Sequence, residues 1–118
     1  MATKYLEQLS SIMTQIPLQL PDNTSFEYKH FFSGAALYVN SRICVTLTPV
    51  GFALKLPEEA RACLLEQQRA EPLRYFARGP IKKDYVVFPD ALLDDMDELQ
   101  KWVQLSVDYA LSLPVKTG

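Results

Sequence analysis

Along the first sixteen residues, apolar side chains recur at three- and four-residue steps: Tyr5, Leu6, Leu9, Ile12, Met13 and Ile16. That spacing predicts an amphipathic helix with one buried face. Pro17 and Pro21 then bracket a loop that runs to Asn23-Thr24. Beyond it the period drops to two. Phe26, Tyr28 and Phe32 alternate with Glu27 and Lys29, which predicts a half-buried strand. Gly34 interrupts this strand, and the expectation is a bulge or sharp bend, after which Ala35 to Val39 continue the sheet. Asn40-Ser41 reads as a tight turn, although it lacks the glycine that usually marks one. Ile43, Val45 and Leu47 alternate with Cys44 and Thr46 in a second strand. Pro49 to Gly51 turns the chain, and Phe52 to Lys55 form a third. Connections this short allow only antiparallel neighbours.

Pro57 followed by Glu58 and Glu59 predicts a helix start, with proline at the first position and carboxylates near the positive end of the macrodipole. Ala60, Cys63 and Leu64 supply its apolar stripe, Arg69 lies near its end, and Pro72 is expected to stop it. Leu73 to Arg78 and Lys83 to Phe88 flank a Gly79-Pro80 turn signal and read as a hairpin. After Pro89, Asp95 and Glu98 have the spacing of a capping box. Leu99, Trp102, Val103, Ser106, Ala110 and Leu113 then trace one helix face until Pro114. The predicted order is α-β(3)-α-β(2)-α. Grouped strands with helices between and after them indicate an α+β fold, a two-layer arrangement with helices packed on an antiparallel sheet.

A chain of 118 residues, 48% of them hydrophobic, is read as one domain over 1–118 with a real core. Its formal net charge of −2 disfavours a phosphate backbone, so nucleic-acid binding would require a local basic patch. No window is apolar enough to span a bilayer and the first residues lack a signal-peptide pattern, which makes the cytoplasm the expected compartment. Cys44 and Cys63 form no metal-ligand motif and read as two small buried hydrophobes. His30 is the only histidine, and it reads as a strand side chain. The sequence contains no phosphate-binding glycine loop and no nucleophile elbow, so an enzyme is not expected, nor a cofactor. The acidic group Asp94, Asp95, Asp97 and Glu98 fits a helix N-terminus better than a calcium loop, which alternates its oxygens around a glycine. No metal site is expected.

One constellation suggests binding. Arg74, Arg78, Lys82 and Lys83 concentrate charge on the hairpin, interleaved with Tyr75, Phe76 and Tyr85. Side-chain alternation places Arg74, Phe76 and Arg78 on one strand face. Such a ribbon suits an acidic protein surface or stacked bases, while the plainer reading is a solubilised, protected sheet edge. Phe31 is a second candidate contact: Phe31 and Phe32 point to opposite faces, and one ring is expected to be core.

A spaced set of residues resembles the N-terminal domain of the TfoX/Sxy competence regulators, most strongly over 31–111. Phe31-Phe32-Ser33-Gly34 stands where that family reads Met-Phe-Gly-Gly. Ala36-Leu37-Tyr38-Val39-Asn40 stands for Gly-Leu-Tyr-Val-Asp, and Phe52-Ala53-Leu54-Lys55 for Leu-Tyr-Leu-Lys. Tyr85 and Pro89 match a Tyr-x-x-x-Pro element, and Leu99-x-x-Trp102 matches the last helix. The resemblance implies the same α-β(3)-α-β(2)-α fold, similar to the secretion-chaperone class. It further implies a non-enzymatic interaction domain linked to transcriptional and competence regulation through a protein partner. The alternative expectation is a small-molecule-binding or weakly catalytic domain with a pocket between sheet and helices. A homodimer is a further expectation, because an open sheet leaves edges to be covered or paired.

Overall fold

A computed structural model describes residues 3–31, 34–74 and 82–113. Helix α1 (Thr3–Thr14) precedes strands β1 (Phe26–Phe31), β2 (Gly34–Val39), β3 (Arg42–Thr48) and β4 (Gly51–Lys55). Helix α2 (Glu58–Glu66), strands β5 (Glu71–Leu73) and β6 (Lys82–Phe88), a 3-10 turn (Asp90–Asp94) and helix α3 (Met96–Ser112) follow. The strands form one antiparallel sheet in the order β1-β2-β3-β4-β6-β5. The fold is α+β, as the sequence predicts, with one strand more in its first group.

The extra strand arises at Gly34. The chain does not bend there but reverses: Phe31 pairs with Gly34 and Phe26 with Val39, so the run predicted as one interrupted strand is a hairpin. Alternation of side chains is the same before and after a reversal, so the pattern alone did not reveal it. The glycine is required by close approach. A Cβ on Gly34 would lie 2.2 Å from the carbonyl oxygen of Leu47 and 2.6 Å from Cα of Thr48.

A second departure lies in β3. Leu37 pairs with Val45 while Tyr38 pairs with Ile43, leaving Cys44 as the extra residue of a β-bulge. The bulge changes which residues face the helices. Cys44 joins Val45 and Leu47 in the core, whereas the predicted face was Ile43, Val45 and Leu47. Ile43 instead shares the opposite face with its partner Tyr38, and it is half-buried.

All three helices cover one face of the sheet. Leu9 and Met13 of α1, Leu64 of α2, and Leu99, Val103 and Val107 of α3 form one cluster with alternate strand residues. Leu37, Val45, Phe52, Leu54 and Val86 supply the sheet side of that cluster, and each is at most 1% exposed. Each such side chain contributes about 2 kcal/mol by leaving water. On the opposite face, Ala36, Thr46 and Ala53 stand side by side across three strands, and all are fully buried.

Helix ends follow local chemistry. Asp95 caps α3 by accepting from the Glu98 N–H at 3.3 Å. Pro57 is the residue before α2 rather than its first. That helix stops well short of Pro72. Arg69 N–H donates to Leu64 C=O and Gln68 N–H to Leu65 C=O, with Gln68 at φ 59°. This is a Schellman closure with glutamine in the left-handed position that glycine usually takes. Pro72 instead lies in β5, the three-residue strand at one sheet edge.

Candidate partner-binding site

Strands β5 and β6 place the predicted basic hairpin. Their pairing is antiparallel, with Leu73 opposite Lys82. Arg74, exposed, follows immediately after β5, and Lys82 and Lys83 open β6. Phe76 and Arg78 lie outside the described residues, as do the Gly79-Pro80 turn signal and Tyr75. The Leu73–Lys82 register therefore brings Arg74 and Lys82 to the same end of one strand pair. Lys83 follows in β6, and Arg78 belongs to the connection between Arg74 and Lys82.

Phe31 is not part of that patch. It ends β1, at the opposite edge of the sheet. With neighbouring strands about 4.8 Å apart, the four steps from β1 to β6 separate them by roughly 20 Å. Phe31 and the basic hairpin thus lie at opposite ends of the strand order, a separation that depends on that order. Strand order could not be read from the sequence because β4 pairs with β6 across the whole α2–β5 excursion.

A charged cluster around Trp102 was not anticipated. Trp102 is 7% exposed and packs beside Phe88, with ring centroids 6.2 Å apart. The Lys101 ammonium lies 4.8 Å and the Arg69 guanidinium 5.8 Å from the indole centroid. Arg69 also donates to the Glu98 carboxylate. This hydrogen bond, with Lys101 nearby, holds the half-buried Glu98 carboxyl below its ordinary pKa despite a smaller opposing effect of desolvation. Arg69 comes from the turn after α2 and the rest from α3, so the cluster ties two elements together. The only sequence signal was the Arg-Trp-Lys composition, without spacing to connect it.

The chemistry-bearing residues elsewhere remain apart. His30 is exposed on β1. Cys44 is fully buried, and removal from water raises its thiol pKa from 9.0 to about 12. Cys63, expected to be buried, is exposed on α2. The apolar stripe of that helix is narrower than its composition suggests, with Leu64 alone fully inserted. Among the described residues no three His, Cys, Asp or Glu side chains gather where they could hold a metal ion. No described helix is long and apolar enough to cross a membrane.

A cleft of about 970 Å³ opens between α1, the β3–β4 turn and the 3-10 turn, lined by Tyr5, Gln8, Ile12, Thr48, Pro49 and Asp90 among others. Its rim mixes both charge signs, with Lys4 and Glu7 beside Asp90.

A family profile of the TfoX N-terminal domain matches residues 19–110, which span β1 to nearly the end of α3. No curated protein matches the chain.

Proposed function

The chain belongs to the TfoX N-terminal domain family, and from that premise we propose a non-enzymatic interaction domain that acts in transcriptional and competence control through a protein partner. One observation carries the reading of the site. Arg74 and Lys82 stand at the same end of one strand pair, so the basic residues of 74–83 are gathered along that end and the connection it opens into, on a molecule whose net charge is −2. A local basic surface on an acidic protein suits an acidic protein patch, where charge complementarity gives orientation and speed of encounter. It suits a nucleic acid less well, because the whole-molecule field opposes a phosphate backbone.

The test is affinity capture with the intact chain from lysate of the native host, with and without nuclease. Recovery of polymerase subunits or a transcription factor despite nuclease is the expected result. The same capture should fail with R74Q/R78Q/K82Q/K83Q. Loss of those proteins on nuclease treatment would replace this reading with a DNA-mediated one.

A second reading rests on the cleft beside α1. Its volume of about 970 Å³ lies at the upper end of the range of small-molecule sites. A ligand there would raise the thermal midpoint in proportion to the logarithm of its concentration once saturating, and substitutions in the hairpin would leave that shift unchanged.

A further inference from the structure

Strand β1 is the first in the sheet order, so one side of it meets no strand among the described residues. It runs from Phe26 to Phe31 without a proline, and its register with β2 is unbroken. Unbroken edges of this length are templates for another strand. The direction of each backbone group follows from the ladder. Asn40 N–H donates to Ser25 C=O at 3.0 Å, one step before the Phe26–Val39 pair. Bonded and non-bonded positions alternate along an antiparallel pair. Glu27 and Lys29 therefore bond inward to β2, and Phe26, Tyr28 and His30 aim their N–H and C=O groups at the open side.

We propose that this edge pairs with the same edge of a second copy of the chain, antiparallel, about a two-fold axis at Tyr28. In that register Tyr28 faces its own equivalent, and Phe26 faces His30 of the partner subunit. All outward-aimed groups of these residues find mates, in roughly six hydrogen bonds. The side chains select the register. With the axis at Tyr28, Glu27 stands directly opposite Lys29 of the partner subunit, twice per interface. Moving the axis to position 27 or 29 keeps the faces matched but sets Glu27 against Glu27 of the partner subunit, or Lys29 against Lys29 of the partner subunit. Opposite charges in directly facing positions stabilise and like charges destabilise.

The existing surroundings permit this exchange. Glu27 and Lys29 lie 3.7 Å apart within one chain, and their side chains are 62% and 51% exposed. Lys29 also lies 4.9 Å from the Tyr38 ring, which keeps it close to the sheet. On the helix face, half-buried Tyr28 borders a cleft of about 490 Å³ with Leu6 and Ser10 of α1. Two such clefts meet across the axis and leave room for the paired tyrosines. The surface lies at the sheet edge opposite the basic hairpin and does not depend on the partner proposed for it.

Sedimentation equilibrium of the intact chain, over a range of concentrations, tests the pairing. The wild type should form dimers. E27K and K29E should each raise the dimer dissociation constant at least about tenfold by placing like charges face to face. E27K/K29E should restore dimerisation, and circular dichroism should show all three variants folded. Tyr28→Cys in a Cys63→Ser background should oxidise to a disulfide-linked dimer, because facing Cα atoms about 5.5 Å apart suit a disulfide. A wild type that remains monomeric up to about 1 mM would overturn the proposal. So would single swaps without effect, or a double swap that fails to rescue.

Discussion

The hydroxyl of Ser106 sits where β3 and β4 part. Val45 pairs with Leu54, but the next residues outward, Cys44 and Lys55, do not pair. The Ser106 Oγ lies 3.1 Å from the Cys44 carbonyl oxygen and 2.7 Å from that of Lys55, and so serves both acceptors. A bulge that leaves a carbonyl unpaired is thereby answered from the helix above it. Ser106→Ala would strip these acceptors of their donor, at a cost of about 1–3 kcal/mol. Urea unfolding of the variant should show the loss as a lower midpoint with an unchanged slope. The two thiols make a second residue-scale prediction. With native protein at pH 8, a thiol reagent should modify Cys63 rapidly and Cys44 only after unfolding. Because the folded Cys44 pKa is raised from 9.0 to about 12, the native state holds a proton that the unfolded chain releases between those values. The stabilisation is whole below pH 9 and is lost as pH rises toward 12. Cys44→Ala should flatten that decline, measured as unfolding midpoint against pH.

At the scale of elements, legibility followed the chemistry of the ends. Asp95 announced α3 because a carboxylate three residues before Glu98 is a standard cap, and it does accept that N–H. The end of α2 was hidden because its left-handed residue is Gln68, which carries none of the signal that glycine would have given. Gln68→Gly should therefore stabilise the protein by about 0.5–1 kcal/mol, by removing the Cβ penalty at a positive φ. A rise in the thermal midpoint of a few degrees would be the readout. The Asn40-Ser41 turn has the same character, with φ 47° and 69° where hairpins prefer Asn-Gly. There the flanking alternation was strong enough to show the turn anyway. The Cys44 bulge could not be foreseen, since it depends on how β2 and β3 pair, and a one-residue irregularity looks like ordinary alternation.

At the scale of the molecule, contacts distant in sequence close the layers. Gln104 of α3 accepts from the Gln19 N–H at 2.8 Å and returns a bond to the Gln19 C=O at 2.9 Å. Gln100, one turn earlier, donates to Pro17 C=O at 2.9 Å. Together they treat the loop after α1 as if it were a strand beside the helix. Gln104→Ala should leave the core intact and accelerate hydrogen exchange at the Gln19 amide, which would then lack its acceptor. Arg42 fastens the other end of the helix by donating to the Leu113 carbonyl. The helix-on-sheet layering was legible because periods of two and 3.6 residues are visible locally. The separation of Phe31 from the basic hairpin was not, because it is a property of strand order.

The two sheet edges differ in what they can accept. One ends in the short β5, whose central Pro72 has no N–H to give. Among the described residues that leaves the sheet one receptive border, and so a valence of one. Growth through backbone pairing at this border then stops after a single addition, instead of the open-ended polymer that two receptive borders would allow.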